Sequence, residues 1–134
     1  MEKPFKDIKV LVVDDYENMR TRLASWLKQF GMDVVEAENG LEAMTVLRDE
    51  KHGKFDIVFT DIVMPEMDGY ELCEEIRKTP AMREMPIVVT STHADSNYVI
   101  KALRMGADDY IAKPVDVDVL EKVITRVMTP ISIE

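Results

Sequence analysis

Five apolar runs alternate along the chain with five stretches whose apolar residues recur every three or four positions. Continuous β-branched and aromatic runs read as strands buried on both faces, and the three-to-four spacing reads as amphipathic helix. The predicted strands are Ile8 to Val13, Val34 to Ala37, Phe55 to Thr60, Ile87 to Ser91 and Asp109 to Ala112. The first helix, Asn18 to Phe30, carries Met19, Leu23, Trp26, Leu27 and Phe30 on one side and ends at Gly31. The second, Leu41 to Glu50, follows Asn39-Gly40 and presents Leu41, Met44 and Leu47. The third, Tyr70 to Lys78, turns Leu72, Cys73 and Ile76 inward and stops before Pro80. The fourth, Ser96 to Met105, carries Val99, Ile100 and Leu103 up to Gly106. The fifth, Val117 to Met128, presents Leu120, Ile124 and Val127 between a capping Asp116 and Pro130.

Strict βα alternation implies an α/β fold: a parallel sheet with right-handed crossovers and helices on both faces. With 134 residues and no repeat, linker or low-complexity tract, the chain is expected to form one domain over 1–134, its core about 8–128. The segment from Asp49 to Lys54 reads as a surface loop, and the tail after Pro130 is expected to fray.

Composition narrows the function. An apolar share of 46% with 32% charged residues fits a globular protein. The net charge of -9 disfavours nucleic acid and anionic membranes as direct partners. No apolar stretch is long enough for a membrane span, and residues 1–6 lack a signal-peptide core, so a cytoplasmic location is expected. The single cysteine, Cys73, cannot form an internal disulfide and reads as a small core residue.

The chemistry lies where the runs end. Asp14-Asp15 follow the first strand, and Asp61 closes the third. Open α/β sheets place their ligand sites at the carboxyl ends of strands. Either feature alone reads more readily as a polar turn; together they bring three carboxylates to one mouth if strands one and three are neighbours. Such carboxylates repel, and a divalent cation relieves the repulsion, with oxygen-only ligands suiting Mg²⁺. Lys113, after the fifth strand, can reach the same mouth and pair with a carboxylate or phosphoryl oxygen. Its peptide bond to Pro114 is expected to be trans, the usual state of X-Pro bonds. Thr90-Ser91-Thr92 supplies a hydroxyl from the fourth strand, although such hydroxyls more often form turns.

The residues that carry this pattern resemble a response-regulator receiver domain, and among receivers the single-domain chemotaxis type. They are Val12-Val13-Asp14-Asp15-Tyr16, Thr60-Asp61-Ile62-Val63-Met64-Pro65 with Met67-Asp68-Gly69, Pro86 to Ser91, and Gly106 to Pro114. The match covers about Lys9 to Met128. The resemblance implies a flavodoxin-like, doubly wound (βα)5 sandwich with strand order 2-1-3-4-5. It implies that Asp61 is the phosphoacceptor, taking a phosphoryl group from a sensor histidine kinase or a histidine phosphotransfer protein. Asp15, Asp61 and the backbone carbonyl of Val63 would hold Mg²⁺, for which Mn²⁺ can substitute, and Asp14 would act through water. Lys113 would meet the phosphoryl group. Ser91 would be the switching hydroxyl and Tyr110 its coupled aromatic, although from the sequence alone Tyr110 reads as a half-buried strand residue. Output to a downstream protein would use the fourth helix, fifth strand and fifth helix, about Ser96 to Met128. The chain is then a monomeric switch that catalyses only its own phosphorylation and dephosphorylation.

Some positions depart from the common pattern. Thr92 is bulkier than the usual residue there, and Val63 is apolar where chemotaxis-type members are polar. With His93 they form a rim expected to modulate the rate of phosphoryl loss, although His93 reads equally as an exposed loop residue. The runner-up function, a Mg²⁺-dependent phosphatase acting on small substrates, lacks a second acid two residues after Asp61, where Val63 stands. An unphosphorylated interaction module would have lost site residues, and none is lost here. A receiver serving a phosphorelay, or one cut from a larger regulator, stays open beside the chemotaxis type. With only Ile131 to Glu134 after Pro130, a DNA-binding output within this chain is not expected.

Overall fold

The computed structural model describes residues 3–92 and 96–129. Five strands, β1 (Lys9–Val13), β2 (Asp33–Ala37), β3 (Ile57–Asp61), β4 (Ile87–Ser91) and β5 (Asp109–Ala112), form one sheet. All pairings are parallel, in the order β2-β1-β3-β4-β5. The helices are α1 (Glu17–Gln29), α2 (Gly40–Arg48), α3 (Gly69–Lys78), α4 (Ser96–Arg104) and α5 (Val117–Met128).

Side chains alternate across the sheet, as the two-residue period of a strand requires. Leu11, Val13, Val58, Ile87 and Val89 pack with Ala43 and Met44 of α2, Leu72, Cys73 and Ile76 of α3, and Ala102 of α4. Val10, Val12, Ile57, Phe59 and Val88 pack with Leu23 and Leu27 of α1 and with Leu120, Val123 and Ile124 of α5. The central strands β1, β3 and β4 are therefore covered on both faces, which explains why they read as nearly unbroken apolar runs. Phe59 is wholly buried in the second layer, and its truncation to Ala is expected to cost about 3–5 kcal/mol.

Several details differ from the sequence reading. Strand β3 starts at Ile57, because Asp56 exchanges two bonds with the start of β1: its N–H to the carbonyl of Lys9, and the Lys9 N–H to its own carboxylate, each 2.8 Å. Helix α2 ends at Arg48, and a single 3-10 turn, Glu50–His52, occupies part of the expected loop. Leu41, read as inward, is exposed, and so are Ile100 and Leu103 of α4. The Lys113–Pro114 peptide is cis. Among the described residues no helix is long and apolar enough to cross a membrane.

Candidate functional site

Strands β1 and β3 run side by side with Val13 opposite Thr60, so Asp14 and Asp61 leave the sheet together. The Asp14 N–H continues the ladder to the carbonyl of Ala37 at 3.1 Å. One Asp14 carboxylate oxygen, Oδ1, then accepts the Tyr16 N–H at 2.9 Å, a side-chain turn that ends the strand one step before α1. On β3, Asp61 Oδ1 accepts the N–H of Ile62 at 2.8 Å.

The loop after Asp61 is held by two close approaches. Gly69 donates its N–H to the carbonyl of Ile62 at 2.7 Å, and a Cβ there would stand 2.2 Å from the Asp61 carbonyl oxygen. Gly40 donates to the carbonyl of Met67, and a Cβ there would lie 2.6 Å from that oxygen. Only glycine allows the backbone so near. Asp68 starts α3 with a reciprocal capping box to Glu71. The loop between these anchors carries Val63, whose side chain is 58% exposed.

Pairing of Ser91 with Ala112 sets Lys113 just beyond β5, where its N–H donates to the Ser91 carbonyl at 2.8 Å. The Lys113 side chain is only 6% exposed. Its Nζ donates to Asp14 Oδ2 at 2.5 Å and stands 3.4 Å from Asp61 Oδ1. Carboxylate oxygens of Asp14, Asp15 and Asp61 all lie within 4.8 Å of one another, the only such group among the described residues. Three carboxylates thus face one ammonium. Burial pushes the Asp61 carboxyl above its ordinary value; Lys113 pulls it down, and the Asp14 charge raises it again. The donors are all oxygen, and Asp15 is exposed at the mouth, which suits a hard divalent cation that keeps some of its water.

Ser91 is buried at the end of β4 and Thr92 beside it is exposed. Tyr110 pairs with Val89, two residues before Ser91, so Tyr110 and Ser91 lie on one face of the sheet. Tyr110 is 39% exposed. His93 lies outside the described residues. Sequence reasoning missed Arg20, which donates from Nη1 to the Asp14 carbonyl at 2.8 Å and from Nε to Glu36 Oε1 at 3.1 Å. The available signal was its place one turn before Leu23 and Ala24 and two turns before Leu27, on the stripe that α1 buries.

Residues 10–125 match the family model described as the response regulator receiver domain. The chain belongs to that family. This receiver is 38% identical to the chemotaxis protein CheY homolog of Campylobacter jejuni, over 90% of this chain and 92% of that protein. It is 37% identical to the "Probable transcriptional regulator ycf27" of Porphyridium aerugineum, over 90% of this chain and 48% of that protein. The receiver thus spans about half the length of the ycf27 regulators it matches. Among solved structures, CheY of Borrelia burgdorferi in a complex with CheX, BeF3 and Mg²⁺ superposes with a TM-score of 0.84 at 25% identity, covering 93% of this chain and 92% of that one. Chemotaxis protein CheY4 of Vibrio cholerae gives 0.81 at 28% identity, covering 90% and 98%. The protein is therefore a receiver of the kind found in two-component response regulators, a signalling switch with the flavodoxin-like fold.

Proposed function

We propose that Asp61 accepts a phosphoryl group from a phosphohistidine on a partner kinase or phosphotransfer protein, and that the phosphorylated form changes its affinity for a downstream protein. The observation that carries this reading is the cluster itself: three carboxylates within 4.8 Å and one buried lysine shared between two of them. A carboxylate oxygen of Asp61 attacks phosphorus, the P–N bond breaks, and the donor imidazole keeps the electron pair, leaving an acyl phosphate. Asp15, Asp61 and the Val63 carbonyl would hold Mg²⁺, with Asp14 contributing less directly. The bound ion supplies charge neutralisation for the transferring oxygens, worth roughly several kcal/mol in sites of this kind. Lys113 neutralises the same group from the protein side, and positioning does most of the remaining work.

Ser91 then turns toward a phosphoryl oxygen. Tyr110, on the same face of the sheet, moves into the space released and biases a two-state surface. Exposed Tyr98, Ile100, Leu103, Tyr110 and Val119 give that surface an apolar character across α4, β5 and α5. The net charge of -9 favours a protein partner over nucleic acid. The chain acts as a monomer, and its chemistry is confined to its own phosphorylation and dephosphorylation.

The test is incubation with acetyl phosphate and Mg²⁺. One acid-stable, base-labile phosphate per chain is expected; continuous turnover of varied phosphate esters would support an enzyme instead. Ser91→Ala is expected to take up the phosphate yet lose much of the affinity gain for a partner captured by the phosphorylated protein. A full gain in that variant would show that signalling bypasses the hydroxyl.

A further inference from the structure

Asp15 is exposed, and its carboxylate makes no hydrogen bond or ion pair among the described residues. Its aim is therefore set by the main chain from Asp14 to Tyr16. That main chain is tied at four points: Asp14 N–H to Ala37, Tyr16 N–H to the Asp14 carboxylate, Arg20 Nη1 to the Asp14 carbonyl, and the Arg20 main-chain N–H to the Tyr16 carbonyl. The third tie alone acts on the carbonyl of the peptide plane that joins Asp14 to Asp15. Because that plane is rigid, fixing its oxygen fixes the Asp15 N and Cα, and the Tyr16 N–H bond restrains the next plane, so the two together set the direction in which the Asp15 side chain leaves.

Arg20 is itself held. Its side chain is 12% exposed, and Nε reaches Glu36 Oε1 at 3.1 Å. Glu36 is anchored in β2 opposite Val12. One planar fork thus spans the end of β1 and the neighbouring strand. A lysine carries the same charge but concentrates its donors on one atom, and cannot brace both sites at once. The Glu36 carboxylate also balances the guanidinium charge, so the pair acts on a cation at the mouth through geometry more than through its field.

We propose that Arg20, oriented by Glu36, is a positioning residue that aims Asp15 at the divalent cation. The proposal rests on the reading that the acidic cluster takes such an ion. The probe is Mn²⁺ alone, its free concentration followed by electron paramagnetic resonance in the presence of the full chain. Arg20→Lys, which conserves charge, is expected to bind Mn²⁺ roughly tenfold more weakly, the lower end for loss of a residue that orients a metal ligand. The difference is expected to vanish in an Asp15→Ala background, because there is then no ligand left to aim. Urea unfolding without metal supplies the second readout: a purely structural role lowers metal-free stability and leaves Mn²⁺ affinity unchanged, and that pattern overturns the proposal. If Arg20→Lys does not fold, Glu36→Gln carries the test, since it frees one arm of the fork; a smaller weakening supports the proposal and unchanged affinity overturns it. Failure of the unaltered protein to bind Mn²⁺ would remove the cation reading itself, whereas binding that is indifferent to Arg20 and Glu36 would remove only this inference.

Discussion

At the amino-terminal end of β4 and β5, Arg77 spends its guanidinium on protein atoms. It donates to the carbonyls of Gly106, Arg83 and Met85 and to the Asp108 carboxylate, at 2.7 to 3.0 Å. The same Asp108 oxygen accepts the N–H of Ile87, closing the turn before β5 onto the start of β4. At the opposite end, three carboxylates cluster around one ammonium that pairs with two of them, and among the described residues no second cation pairs with any of the three. Both ends place charged side chains where strands meet loops. The first is matched donor for acceptor, and it leaves little for a ligand to contribute. The second is short of positive charge in a partly desolvated place, a shortage that a divalent cation would relieve. Charge at a strand end is therefore a poor guide to function until its partners are counted.

Of changes at the two ends, breaking the matched one should have the largest effect on stability. Arg77→Gln removes several bonds to main-chain carbonyls, and urea unfolding is expected to show a loss of about 2–3 kcal/mol, the range for leaving such groups unsatisfied. The stabilisation that Mg²⁺ adds should stay unchanged, because that end takes no part in the metal site. A large change in that increment would join two regions that are separate here.

The unmatched end is sharpened by comparing its acids. Asp15→Ala is expected to weaken Mg²⁺ binding roughly tenfold or more, and Asp14→Ala less, since Asp14 is already committed to Lys113 and the Tyr16 N–H. Calorimetric titration of both variants checks the order, and equal losses contradict it. A smaller effect is expected from Asp61→Asn on metal-free stability. Burial holds the Asp61 carboxyl above its ordinary value, so the native state binds that proton more tightly than the unfolded chain does. Stability should consequently fall as pH rises through that window, and the penalty is complete above the native pKa. The Asn variant should be more stable near neutral pH, with its advantage shrinking toward the ordinary carboxylate range. An advantage independent of pH would assign it to something other than this charge.

The smallest effect concerns the rim. Val63 is exposed and offers no side-chain hydrogen bond to a hydrolytic water, and Thr92 beside the mouth adds bulk. Val63→Asn is expected to speed loss of the phosphoryl group a few-fold in saturating Mg²⁺, as for one added hydrogen bond. An unchanged or slower decay rules this out.

Much of the fold was legible because the central strands β1, β3 and β4 are covered on both faces, and such strands announce themselves as apolar runs. The acids and Lys113 were legible because they end those runs. What escaped depends on partners that periodicity does not report. Leu41, Ile100 and Leu103 fall on apolar stripes, but the spacing of a stripe does not say whether another element covers it. Phe55 extends an apolar run, yet the strand begins only after Asp56 has bonded to Lys9. Arg20 reads as a solvated charge until its carbonyl and its carboxylate partner are both in place.

The central claim is that the acidic end of the sheet is a phosphoryl-accepting site with Asp61 as the nucleophile. Its most direct test is mass spectrometry of the full chain and of Asp61→Asn after identical incubation with acetyl phosphate and Mg²⁺. The account predicts one added phosphate on the unaltered chain and none on the variant, with both proteins folded. Full incorporation in Asp61→Asn, or none in either protein with Mg²⁺ bound, would contradict it.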